Sequence, residues 1–305
     1  MQTYSRRQFS ALALSSGLFA STRSVFAGTK PDSRVAGVLI GMNVPYNFGG
    51  NFVPADEVLK NCLELGVSGV ELRTQPVEMA MGAPLKDGKS AKGNGDKASS
   101  MQSWRETADL SRAKEFGKKW SDAGVFIEIV KVDGIFKMSD AEIDYAFNLG
   151  KALGARALST EISHSDDELK RVGGFADKHA FPIGYHGHHT TGPADWEKAF
   201  SFAKYNYANV DIGHFVAGDF GSPVPFITKY HDRITHVHIK DRKKAKGPSV
   251  VFGEGDTPIK DVLCLIRDKK WPIQATIEFE YKVPAGSSRM AELAKTVKYC
   301  RDALA

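Results

Sequence analysis

Two spacings alternate along this chain. Short runs rich in aliphatic and β-branched residues cover 35–40, 67–72, 125–132, 156–160, 181–185, a stretch closing at Val210, 234–239 and 273–279. Their brevity and apolar continuity predict strands buried on both faces. Between them, apolar residues recur every three or four positions over 55–65, 111–123, 139–153, 166–179, 193–204, 223–230, 259–269 and 289–304. In the first of these helical segments Val58, Leu59, Cys62 and Leu65 share a face, and Gly66 follows as a helix-ending residue. Ser139-Asp140-Ala141-Glu142 has the form of a capping box. Strand and helix alternate eight times, which predicts a single-domain (β/α)8 TIM barrel. A doubly wound sheet needs fewer strands and usually a glycine fingerprint after the first.

Residues 73–104 break the rhythm. Met79-Ala80-Met81-Gly82-Ala83-Pro84 precedes a Gly-, Lys- and Asp-rich run over 86–97. Such a run buries little, so the segment is expected to be a mobile loop over the barrel mouth. It reads equally as a substrate lid with Met79 and Met81 as apolar contacts, or as a surface insertion. Gly88-Lys89-Ser90 lacks the strand and helix that frame a phosphate-binding loop.

The first 27 residues read differently from the rest. Ser5-Arg6-Arg7-Gln8-Phe9, a mildly apolar stretch over 11–20 and Val25-Phe26-Ala27 describe a twin-arginine export signal cleaved after Ala27. The barrel domain is then 28–305, delivered by the twin-arginine machinery to the periplasm or beyond. The apolar stretch is too short and too rich in Ser to span a bilayer, so no stable membrane insertion is expected after signal removal. The full chain has 41 Lys and Arg against 36 Asp and Glu; Arg6, Arg7 and Arg23 leave with the signal, so 38 basic residues remain against 36 acidic ones. That near balance removes most of the compositional support for a nucleic-acid partner. Cys62, Cys264 and Cys300 have neither zinc nor redox spacing and read as buried small apolar residues.

The chemistry gathers at the C-terminal ends of the strands. Tyr185-His186-Gly187-His188-His189, Asp211-Ile212-Gly213-His214, His236-Val237-His238-Ile239-Lys240-Asp241-Arg242 and Ile277-Glu278-Phe279-Glu280 each follow an apolar run. In a parallel barrel these ends open into one mouth. Glu161, Asp211, His238 and Glu278 stand at or near the ends of the fourth, sixth, seventh and eighth strands. Three carboxylates and one imidazole form a ligand set for one divalent ion, with Mn²⁺ the expected ion and Mg²⁺, Co²⁺ or Zn²⁺ as alternatives. Side-chain alternation is read as setting His188 opposite His186 and His189, with His188 the candidate for substrate contact. His186 or His188 can also serve as an added ligand or proton shuttle. His236 is expected one layer below His238, Glu280 in support of Glu278, and Lys240 and Asp241 as a pair on the rim or, alternatively, in contact with substrate.

The motifs from Asp211 to His214, from His236 to Arg242 and around Glu278 resemble the strand ends of the xylose isomerase-like superfamily of sugar isomerases and epimerases. That superfamily includes ketose 3-epimerases, hydroxypyruvate isomerase and inosose dehydratase. The resemblance implies a metal held by Glu161, Asp211, His238 and Glu278, with the two glutamates as an acid/base pair on opposite faces of a substrate carbon. It also implies substrate contact by His214 and stabilisation of an oxyanion by Arg242. The fifth strand departs from the pattern, with Tyr185-His186-Gly187-His188 where some members are more acidic.

The expected function is therefore metal-dependent isomerisation or epimerisation of an unphosphorylated keto sugar through an enediolate. The alternative at the same site is elimination, by a lyase or dehydratase acting on 3-keto sugars or inososes. An endonuclease barrel would want more His ligands and a basic face, and a non-catalytic sugar-binding barrel would need no metal. The small-molecule partner is a carbohydrate in the leading readings, and homo-oligomerisation is left open by the sequence.

Overall fold

The computed structural model of the protein describes residues 30–85 and 95–305. The expected export signal and the run over 86–94 lie outside the described residues. Among the described residues there are nine strands: β1 Arg34–Val35, β2 Val38–Val44, β3 Gly69–Arg73, β4 Phe126–Lys131, β5 Ala157–Glu161, β6 Ile183–His186, β7 Asn206–Asp211, β8 Ile234–Ile239 and β9 Gln274–Ile277. Strands β2 to β9 are parallel and pair in sequence order, and β2 closes on β9 through Ile40↔Ala275, Gly41↔Thr276 and Met42↔Ile277. With helices between successive strands, this is a (β/α)8 TIM barrel.

The first barrel strand starts later than the apolar run suggests. Ala36 and Gly37 adopt positive φ (47° and 87°), turning Arg34–Val35 back antiparallel onto Val38–Leu39. Elsewhere the helical spacing and the helices agree closely. Asp166–His179, Ile259–Lys269 and Arg289–Leu304 run as the periodicity predicts, and Ser139 and Glu142 form a reciprocal capping box.

The expected loop over 73–104 is a correction. Thr74–Met81 and Gly95–Thr107 are helices. The first buries Pro76, Val77 and Met81, a helical spacing masked by the polar run that follows; Met81 belongs to the core. Arg105 ties the second down: its Nε lies 2.8 Å from Glu78 Oε1 and its Nη1 3.0 Å from Glu142 Oε1.

The strands divide their faces by chemistry. Ile40, Met42, Val44, Val70, Leu72, Leu158, Ile183, Tyr185, Ala208, Val210, Val237, Ile239, Ala275 and Ile277 join the apolar shell shared with the helices. The alternate positions are largely polar and meet inside the barrel, as where Asn43 Nδ2 donates to Glu278 Oε1 (2.9 Å) and Asn209 Nδ2 to Ser159 Oγ (3.4 Å). Two bulges adjust this division. Val70 pairs with Ile127 but Glu71 with Ile129, leaving Glu128 extra; Ala208 pairs with Ile234 but Asn209 with His236, leaving Thr235 extra.

Candidate metal and substrate site

The deepest polar layer of the barrel links opposite strands. Glu71 from β3 reaches His238 on β8 (Oε2 to Nε2, 2.6 Å) and His236 (Oε1 to Nε2, 3.3 Å), and all three side chains are fully buried. A carboxylate against Nε2 fixes that nitrogen as the protonated one and turns Nδ1 of His238 towards the mouth.

One layer higher, His186, Asp211, His238 and Glu278 each present a ligand atom within 4.8 Å of the others, all four residues buried. His186 Nε2 lies 3.4 Å from Asp211 Oδ2 and 3.9 Å from Glu278 Oε2, while His238 Nδ1 lies 3.3 Å from Glu278 Oε2 and 3.8 Å from Asp211 Oδ2. Local structure orients the two carboxylates. Asp211 caps the short helix Ile212–Ala217, its Oδ1 accepting from the His214 amide (2.7 Å), which leaves Oδ2 for the cluster. Glu278 has Oε1 engaged by Asn43, whereas Glu278 Oε2 and His238 Nδ1 are buried without an aligned hydrogen bond. Two carboxylates and two imidazoles, with one oxygen and one nitrogen so exposed to each other, suit a divalent ion of the Mn²⁺, Mg²⁺ or Zn²⁺ type.

A second corner lies beside the first. Lys131 Nζ, on a side chain 1% exposed, is 2.6 Å from Glu161 Oε1, and Glu161 Oε2 is 2.9 Å from His186 Nδ1 and 3.5 Å from His188 Nδ1. The Glu161 side chain is 44% exposed and faces the mouth. His188 stacks edge-on to His186 (4.9 Å) and His214 (4.8 Å). Arg242 places Nη1 2.6 Å from His214 Nδ1 and anchors Nε and Nη2 on the Gly247 carbonyl (3.1 and 2.7 Å). Across the mouth, Arg73 pairs with Asp133 at 2.6 Å and lies over the Tyr46 ring, and the Tyr46 hydroxyl donates to Glu280.

Burial raises the cost of every charge here, and neighbours decide the outcome. It would push the Glu278 carboxyl up, but Lys240 and His238 hold it well below the usual range; Lys240, with a hydrogen bond from His186, does the same for Asp211. Burial likewise opposes the proton on His238, yet Glu278 and Glu71 push its pKa up to about 10. Glu161 is kept ionised against burial by Lys131 and His186. His214 goes the other way, lowered by burial to about 3, and is neutral. A metal would bind the deprotonated imidazoles, so its entry releases protons from this layer.

Of the residues singled out in the sequence, Asp211, His238 and Glu278 come together, and His186 stands with them. Glu161 lies one imidazole further out. His186 and His188 share the mouth side, being two apart on the chain; the reading that set them on opposite faces is corrected. Lys240 and Asp241 are not a rim pair. Lys240 is buried among Asp211, Glu278 and Glu280, and Asp241 is buried with its carboxylate accepting from the amides of Gly253, Gly255 and Thr257. Glu71 and Lys131 were missed. Their signal was a charged residue at an interior position of an otherwise apolar strand, in Val-Glu-Leu-Arg and Ile-Val-Lys.

No family model matches this chain, and no curated protein does. Solved structures do. A xylose isomerase domain protein from Planctomyces limnophilus superposes with a TM-score of 0.60 at 14% identity, over 87% of this chain and 97% of the other. The chain shares its barrel fold with that structure. A barrel of that type from Mycobacterium smegmatis, solved in complex with magnesium, gives 0.57 at 13% identity over 88% and 98% of the two chains. A 3-keto-D-glucoside 4-epimerase from E. coli gives 0.58 at 12% identity over 87% and 99%.

Proposed function

We propose that this protein is a divalent-metal-dependent sugar isomerase or epimerase acting on an unphosphorylated keto sugar. The observation that carries the reading is the convergence of four buried ligand groups beside Glu161, an ionised carboxylate open to the mouth. Asp211, His238 and Glu278 would hold the ion, with His186 or, after it moves aside, Glu161 as the fourth ligand. When bound, a divalent ion supplies Lewis acidity to a ketone carbonyl. The neighbouring 3-keto-glucoside epimerase and magnesium-bound barrel support this choice of chemistry.

Glu161 is the base of the proposal. Its mouth-facing carboxylate takes a proton from the carbon beside the carbonyl, giving an enediolate, and Lys131 and His186 orient it. His188, half-exposed and with its pKa lowered by burial and by His186, is neutral and relays that proton. Return of a proton to the opposite face gives an epimer, and return to the neighbouring carbon an isomer. Glu278 is the candidate for that second role; ionised at rest beside Lys240 and His238, it must first take up a proton from solvent before it can return one to the substrate carbon. His214 and Arg242 line the side where sugar hydroxyls and a developing oxyanion would sit. Elimination at the same site has one supporting observation: Glu161 and His188 lie 3.5 Å apart on one side, so a proton taken by one can be passed to a leaving group.

Elemental analysis of protein purified without chelator, beside Asp211→Ala/His238→Ala, tests the reading. One equivalent of Mn, Mg, Co or Zn in the first and none in the second is expected; no uptake by either, even with added Mn²⁺, overturns it. Incubation with 3-keto sugars and mass spectrometry then separates isomerisation, which conserves mass, from loss of water or an aglycone. Glu161→Gln and His186→Ala, compared for metal content, identify the fourth ligand. The twin-arginine address belongs to the same proposal and is tested by N-terminal sequencing of the protein recovered from the periplasm, with Gly28 expected first.

A further inference from the structure

Lys240 follows β8 directly, and its ammonium lies 2.7 Å from Glu278 Oε2, 3.1 Å from Asp211 Oδ2 and 2.8 Å from Glu280 Oε2. It is 1% exposed. Its stem runs over Gly213, where a Cβ would stand 3.0 Å from Lys240 Cγ and 2.8 Å from its carbonyl oxygen. The fold thus holds a buried cation against the two carboxylates expected to bind metal.

Two details mark this as a holding position. Glu278 Oε2 has no aligned hydrogen bond despite the 2.7 Å contact, so the ammonium is held there chiefly by charge. On its other side Lys240 Nζ meets His214 Nε2 at 3.0 Å. Arg242 donates to His214 Nδ1, so a neutral imidazole carries its proton on Nε2, and a lysine ammonium has no lone pair to accept it. That contact sets donor against donor. Withdrawal of Lys240 would relieve it. Glu280, whose side chain is 27% exposed, is the partner on the solvent side that can keep the ammonium after it leaves Asp211 and Glu278.

We propose that Lys240 is a tethered counter-ion that occupies the cation position between Asp211 and Glu278 until a divalent ion displaces it towards Glu280. The inference rests on the metal-dependent reading above. It makes the metal-free protein stable, because its clustered carboxylates are never left unpaired, and it weakens metal affinity by the competition it imposes. Glu280 acts through Lys240 and is not a ligand.

The test uses Mn²⁺ binding, read by loss of the free-ion EPR signal, and thermal melting of the metal-free protein in EDTA. Lys240→Gln is expected to bind Mn²⁺ at least about tenfold more tightly than the native protein and to melt at a lower temperature when metal-free, since Asp211 and Glu278 then repel unopposed. Glu280→Gln should bind more weakly than native, having lost the displaced partner, and should change nothing when added to Lys240→Gln. Equal or weaker binding by Lys240→Gln, with native protein binding normally, overturns the proposal and leaves the metal reading intact. Binding by Lys240→Gln alone supports both. Binding by neither overturns both. If Lys240→Gln does not fold, Glu280→Gln decides: unchanged Mn²⁺ affinity there overturns the proposal.

Discussion

The two polar layers inside the barrel use the same kinds of side chain to different ends. In the lower one, Glu71 is enclosed with His236 and His238, and each partner is fixed by residues from the opposite side of the barrel. In the upper one, Asp211 and Glu278 face two imidazoles and a lysine that has a third carboxylate, Glu280, to turn to. Enclosure without an exit makes a group structural; enclosure with one exchangeable partner makes it available for chemistry.

The largest effect should come where the upper layer opens to the mouth. Glu161→Gln is expected to lower turnover by about 100- to 10,000-fold, the range for removal of a general base, with the fold intact by circular dichroism. Near-native turnover would remove Glu161 from the reaction. Next, Glu71→Gln strips the lower layer of its charge balance. Breaking a buried pair costs about 3–5 kcal/mol, to be read by urea unfolding, and loss of support for His238 should weaken metal binding by about 10–100-fold. Glu278→Gln should unfold much closer to native, because Lys240 keeps Asp211 and Glu280. If the two variants lose equal stability, the contrast between layers is wrong.

The same contrast recurs in the helical shell. Arg105 sits between Glu78 and Glu142 with little exposure on any of the three. Arg105→Ala strands two carboxylates and should cost about 1.5–3 kcal/mol, with faster hydrogen exchange over 95–107. Asp144, by contrast, is part-exposed where it meets the exposed Lys178 (2.6 Å) and the largely buried His179 (2.8 Å). Hydrogen bonds from Lys178 and then His179 lower its pKa. A depressed carboxyl adds stability above its unfolded pKa and loses it as pH falls through the folded one. Asp144→Asn should therefore cost only about 0.2–1 kcal/mol at neutral pH, and nothing at a pH below both values.

Much of this architecture is legible in the chain because it is local. Asp166–His179 declares itself through spacing, and Ile234–Ile239 through β-branched residues alternating with polar ones. Strand order points to Glu161, Asp211, His238 and Glu278, since strand ends share a mouth whatever the details of packing; it does not show that His186 takes the place beside the last three. Lys240 could not be placed that way. Its burial depends on carboxylates from β7 and β9 and beyond, which no neighbouring residue announces. Glu71 was hidden for the related reason that its partner is 167 positions away. The helix Thr74–Met81 was lost to composition, the lysines and glycines after it outweighing the spacing of Pro76, Val77 and Met81.

The extra residues Glu128 and Thr235 have a consequence for how this lineage can tolerate insertions and deletions. Before Glu128, Ile127 joins the shell; after it, Ile129 and Lys131 pair with Glu71 and Arg73, whose side chains serve the interior. Thr235 does the same for His236, His238 and Lys240. Loss of either single codon would exchange inside for outside along the rest of its strand, expelling Lys131 in one case and both imidazoles with their lysine in the other. Such an event would erase several site residues at once without altering any of them.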